Sequence, residues 1–216
     1  MIRLEIESII KRRNGKKEII RQPAHSPLKN YVSILKALFD ASSETIIDTS
    51  GTQQTIDGSN SGSYSSHCNG GTRGYGGDTY YTVEAPEGDH TYGLVAGSGT
   101  TPVSMDDYQL DTLYEHGEGA GKLFYKDTII SLIVGGETTI DNTTYKTMTL
   151  IIQRPVENRH TENQTINEIG LIMYIKHMSV YEYKVLIFRD VLDNPITLAP
   201  TEAVTLRYHL RWLIPK

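Results

Sequence analysis

The chain has 216 residues, enough for one domain with a substantial core or for one domain with an appendage. Its 38% apolar and 22% charged residues are those of a globular protein, and a single cysteine excludes an internal disulfide framework. The net charge is −5, yet residues 1–36 hold nine Lys or Arg against three acids, a local +6 that leaves −11 for the rest. A basic head on an acidic body reads as an electrostatic docking element, with a solvated hairpin tip as the plain alternative.

In chain order, Ile2, Leu4 and Ile6 alternate with Arg3, Glu5 and Glu7. Asn14-Gly15 is a two-residue hairpin signal, and Ile19 and Ile20 fall in the return strand. Residues 2–22 therefore form a β-hairpin whose tip carries Lys11, Arg12, Arg13, Lys16 and Lys17. A short helix follows. Ser26 fits the N-cap and Pro27 the first helical position, with Leu28, Tyr31, Val32, Leu35, Leu38 and Phe39 at helical spacing up to about Asp40.

Residues 41–78 change in character. From 57 to 78 nearly every residue is Gly, Ser, Asn, Tyr or Asp, a composition with little to bury, so the stretch reads as a Gly/Ser-rich loop or insertion. Tyr, Ser, Gly and Asn are also the residues of adaptable recognition loops. Tyr64, His67, Arg73 and Tyr75 are the side chains such a loop would offer a ligand.

From residue 79 period-two patterns dominate, with strands expected at 79–83, 92–96, 122–125, 128–134, 146–153, 168–174, 183–189 and 204–212. Gly135-Gly136 reads as a hairpin link. The strands at 128–134 and 147–153 read as central and buried on both faces. Asp193-Asn194-Pro195 reads as a turn. Val204, Leu206, Tyr208, Leu210 and Trp212 alternate with polar residues, as in a strand with one buried face. The fold class is mainly β, an antiparallel sandwich with an N-terminal hairpin and one short helix. Three parts follow: an anchoring segment (1–40), the loop or insertion (41–78) and a sandwich body (79–216).

Catalytic signals are weak. None of the seven histidines sits at metal-ligand spacing, and CxxC, HExxH and GxSxG are absent. Residues 97–101, Gly-Ser-Gly-Thr-Thr, lack the Lys and helix of a phosphate-binding loop. Asp106, Asp107 and Asp111 could approach a cation but read as solvated acids. No enzyme, cofactor or metal is expected. No run is long enough to span a membrane, and residues 1–20 lack the apolar region of a signal peptide.

Three blocks carry a resemblance. Residues 22–31 (QPAHSPLKNY) follow the basic hairpin. Residues 95–104 (VAGSGTTPVS) lead on to Asp107-Tyr108-Gln109-Leu110. Residues 167–171 (NEIGL) and 186–192 (LIFRDVL) precede the closing strand. In that order the chain resembles structural proteins of tailed bacteriophages and archaeal viruses that have no assigned reaction. The resemblance implies a virion component with a jelly-roll-like sandwich body.

The expectation is therefore a non-enzymatic structural protein of a virus particle: a capsid turret, decoration or vertex protein, or a tail component. It would be made in the host cytoplasm and located in the virion. Its partners would be copies of itself, for which a pentamer suits a capsid vertex, and virion proteins such as the major capsid protein. The five basic tip residues would dock, and the acidic body disfavours nucleic acid. The alternative is a receptor- or glycan-binding module acting through the Gly/Ser-rich loop.

Overall fold

The computed structural model describes residues 2–24, 27–40, 42–57, 80–140, 142–177 and 181–216. Tyr64, His67, Arg73 and Tyr75, like the expected N-cap Ser26, lie outside the described residues.

The N-terminal alternation produces β1 (Ile2–Lys11) and β2 (Lys17–Pro23), paired antiparallel. The ladder ends at Lys11 opposite Lys17, so five residues, 12–16, make the connection rather than Asn14-Gly15 alone. Gly15 sits at φ 78°, where a side chain would be strained, and its amide donates to the Arg12 carbonyl at 2.9 Å.

Helix α1 (Lys29–Asp40) ends where expected but buries a different face. Asn30, Ile34 and Ala37 point inward, whereas Val32, Leu38 and Phe39 are exposed. Asn30 explains the rotation. Its Nδ2 donates to the carbonyls of Ile47 and Leu186, and its Oδ1 accepts from the Ile47 amide, so a polar anchor fixes which side faces the sheet. Pro27 lies before the helix, bridged to Phe188.

The segment expected as a loop from residue 41 begins with a hairpin, β3 (Ser43–Ile47) and β4 (Gln53–Asp57), whose Ile46 and Ile56 enter the core. The remaining strands are β5 (Tyr80–Thr82), β6 (Gly93–Gly97), β7 (Glu115–His116), β8 (Lys122–Tyr125), β9 (Ile129–Ile140), β10 (Thr143–Glu157), β11 (Gln164–His177), β12 (Tyr181–Leu198) and β13 (Ala203–Pro215).

The strands form a sandwich-like, mainly β fold. A seven-stranded sheet runs β2-β1-β13-β10-β8-β7, with β9 also on β10. A four-stranded sheet places β12 on one side of β11 and both β5 and β6 on the other. Apolar rows such as Ile6–Tyr208–Ile152 and Ile10–Val204–Val156 face inward from the large sheet. Ile169, Leu171, Val185 and Ile187 supply the other side. The sheets are also stitched by polar contacts: Tyr208 Oη donates to Asp190 at 2.8 Å, and Phe188 lies 5.7 Å from the Tyr208 ring.

Three sequence expectations are corrected. Gly135-Gly136 is not a hairpin link: Gly136 pairs with Thr147 and Val134 with Met148, so Gly135 (φ 93°) is the extra residue of a bulge and β9 continues to Ile140. Strand β10 is central, but β9 lies on an edge and is largely exposed, because it pairs with β10 alone. Asp193-Asn194-Pro195 makes no turn between strands. Ile166 pairs with Ile196 and Glu168 with Val191, so residues 192–195 bulge within a continuous β12.

A buried ion pair ties the smaller sheet to the connection between β6 and β7. Glu168 on β11 is fully buried, and its carboxylate accepts from Arg189 Nε at 2.8 Å and from the amides of Gly99, Asp111 and Thr112 at 3.2, 3.2 and 2.8 Å. Arg189 also donates to Asp107 (2.7 Å) and to the Thr101 carbonyl (3.0 Å). The 97–112 connection therefore wraps a buried pair of charges. A Cβ at Gly97 would lie 2.5 Å from the Thr112 carbonyl oxygen and 2.6 Å from Glu168, so only glycine permits the approach. Replacing Glu168 by Ala should leave Arg189 with Asp107 alone and three amides without their acceptor, and cost about 3–5 kcal/mol. Urea denaturation measures the loss, and Glu168→Gln should retain part of it.

Candidate functional site

The basic hairpin tip is the candidate that the sequence singles out, and the structure divides its five cations. Arg12 is engaged with the body: its guanidinium donates to Glu18 (2.7 Å), Glu202 (2.9 Å) and the Thr197 carbonyl (2.8 Å). Glu202 in turn accepts from the amides of Arg13 (3.3 Å) and Ala199 (3.0 Å), clamping the tip onto the turn that precedes β13. Lys11, Arg13, Lys16 and Lys17 are exposed and form no ion pair among the described residues. Lys11 faces Lys17 across the ladder, a like-charge pair that an acidic surface would relieve. Four of the five expected docking residues are thus presented together on a rigid mount, while Arg12 is the mount.

Ionic bonding continues on the outer face of the large sheet, which sequence reading missed. Glu7 accepts from Arg21 at 2.6 Å and from Arg207 at 2.8 Å, and Arg207 also donates to Gln153. Burial pushes the Glu7 carboxyl up, but the hydrogen bonds from Arg21 and Arg207 outweigh it and hold the carboxyl below the ordinary 4.5. His209 lies beside it, its Nε2 3.7 Å from Glu7 and without a hydrogen-bond partner. Burial holds this imidazole below its usual range. The cross-strand pairing Arg207–Glu7–Arg21 was readable once the register was known.

Arg154 is a second buried cation, and its partners are neutral. It is fully buried and donates to the carbonyls of Pro86, Asp89, Tyr92, Leu94 and Lys126, while its guanidinium lies 4.8 Å from the Tyr125 ring centroid. Five carbonyl dipoles stand in for a carboxylate and fold the 86–92 loop around the side chain. The Tyr125 hydroxyl donates to the Tyr114 carbonyl (2.9 Å), and burial pushes its pKa well up.

These contacts account for the acids once weighed as cation ligands. Asp107 takes Arg189, Asp111 accepts from Thr101 Oγ1 at 2.8 Å, and Asp106 faces Lys29 at 3.5 Å. Among the described residues no group of three His, Cys, Asp or Glu could hold a metal, and no helix is long and apolar enough to cross a membrane. No protein-family model, no curated protein and no solved structure matches the chain.

Reversing Lys11, Arg13, Lys16 and Lys17 to Glu should leave the melting temperature nearly unchanged, because these groups are solvated. Arg12→Ala should cost about 1 kcal/mol, the value of charged hydrogen bonds discounted for partial exposure. Acid should act through the same clamp. Burial raises the Glu202 carboxyl, but hydrogen bonds from the Ala199 amide and Arg12 hold it below 4.5. A carboxyl depressed in the fold stabilises it above the unfolded value and loses that effect as pH falls through the folded value. Stability should therefore decline below about pH 4.5, and less steeply in Glu202→Gln; thermal melts from pH 7 to 3 read the difference.

Proposed function

We propose that the chain is a non-enzymatic structural protein of a virus particle, joined to copies of itself through the edge of β9 and to an acidic virion partner, such as the major capsid protein, through the hairpin tip. The virion assignment rests on the three sequence blocks. The observation that carries the assembly reading is β9 itself. Leu132, Ile133 and Val134 are 61%, 53% and 66% exposed, and Ile129 is 48% exposed. Natural edge strands are guarded by Lys, Pro, brevity or bulges; β9 has twelve residues, one charge (Glu137), neither Lys nor Pro, and its bulge at Gly135 lies after the exposed apolar residues 129–134. Leu132 and Val134 extend the inward apolar rows of β10 beyond the sheet, and an apolar groove of about 480 Å³ between β9 and β5 adjoins them.

A second copy is the occupant that fits. The start of β9 is flanked by Glu84, Asp127 and the Glu87–Lys126 pair, a net negative end, whereas Lys146 and Lys216 surround Glu137 at its other half. Antiparallel pairing about a two-fold axis sets the acidic end of one copy against the basic end of the other. The buried ionisable groups support a structural role too, because Glu168, Arg189 and Arg154 are occupied by the fold's own backbone and counter-charges.

Two measurements test the reading separately. Sedimentation velocity at about 20 µM, well above the Kd of a standard-size interface, should give a dimer. Leu132→Lys with Val134→Lys should give a monomer with unchanged near-ultraviolet circular dichroism. A monomeric parent protein refutes assembly through β9. Peptide mass spectrometry of purified particles should find the chain in stoichiometric amounts; its absence refutes the virion role whatever the oligomeric state.

A further inference from the structure

We infer that a groove on the outer face of the large sheet, lined by Arg3, Arg21 and Arg211, binds a tetrahedral oxyanion, a phosphate or sulfate group. The inference is independent of the assembly reading.

The argument comes from the cross-strand rows of β1, β13 and β2. In one row Glu7 sits between Arg207 and Arg21, and both guanidiniums reach it. In the next, Glu5 lies opposite His209, with Arg21 Nε 3.8 Å from its carboxylate. In the third, Arg3 lies directly opposite Arg211, and the β10 neighbour of Arg211 is Thr149. That row holds two positive charges and no acid. Among the described residues neither Arg3 nor Arg211 has an ion pair, although every other arginine on this face has one. Like charges directly opposite each other on a sheet destabilise it, and a bound anion removes the repulsion.

The surroundings suit such an anion. The three arginines border a cavity of about 510 Å³, where Glu5 is the single acid and Thr138 adds a neutral hydroxyl. Ile140 and the buried Leu213 form an apolar wall, which strengthens charge–charge attraction beside it. Guanidinium forks match the paired oxygens of phosphate and sulfate, and two facing forks grip a tetrahedral group from both sides. The volume exceeds that of a bare ion, so the group can carry an attached residue, such as a sulfated sugar.

Thermal shift at constant ionic strength tests the site with inorganic phosphate and sulfate against chloride. Each oxyanion at about 10 mM should raise the melting temperature by about 2–4 °C over chloride. Arg3→Gln with Arg211→Gln should abolish the shift and, in chloride, melt no lower than the parent, because the repulsion is gone. Arg13→Gln at the hairpin tip should keep the full shift. An equal shift in the double variant, or none in the parent, overturns the inference. In the supporting case a sulfated oligosaccharide that binds more than tenfold tighter than inorganic sulfate identifies a sulfated glycan as the source, and equal affinity identifies the free anion.

Discussion

The fold depends on a carboxylate that water cannot reach. Glu168 stands in the middle of the smaller sheet, and everything that neutralises it comes from elsewhere in the chain: a guanidinium from β12 and three amides from the 97–112 connection. A bare charge at that depth would be prohibitive, and each partner exists only when its own segment is in place. The group therefore acts as a condition on the fold. Strand β11, its neighbour β12 and the long crossing connection must arrive together. Arg154 imposes a similar condition on the opposite sheet, where five carbonyls converge on one cation. Domain stability is on the order of 5–15 kcal/mol, so two such groups constrain the geometry more than any single apolar contact.

The strands were legible because alternation is local. In β13 the inward residues Val204, Leu206 and Tyr208 are buried as their spacing requires, and β8 has the bounds its residues indicate. What failed was position within the sheet. An apolar run such as residues 129–134 reads the same whether it lies between two strands or at an edge, because the distinction belongs to its neighbours. The hairpin of β3 and β4 was hidden by the Gly/Ser-rich residues after it, although Ile46 and Ile56 flank a turn at Gly51.

The candidate sites were legible to different degrees. The tip cations all fall within residues 11–17, so their clustering was plain; the use of Arg12 as a brace was not, since Glu202 is 190 residues away. The outer-face ladder needed the register of three strands. Arg154 left a local trace, sharing the inward spacing of Leu150, Ile152 and Val156, but its partners come from residues 86–94 and from Lys126, well before it in the chain. A charge at a core position announces that a partner exists without saying which.

The place of β13 has a consequence for how the molecule comes into being. It lies between β1 and β10, with Ile2 beside Trp212 and Tyr145 beside Pro215. During synthesis the hairpin of β1 and β2 precedes β13 by more than the span of all the other strands, so it stands without its main neighbour until β13 follows. Until then β1 and β10 each present an open edge towards a missing centre, and the apolar rows they carry have nothing to close against. Such long-range closure makes folding slow, a single event that awaits β13 instead of a progressive one. The basic tip, clamped by Glu202, acquires its mount in that same step.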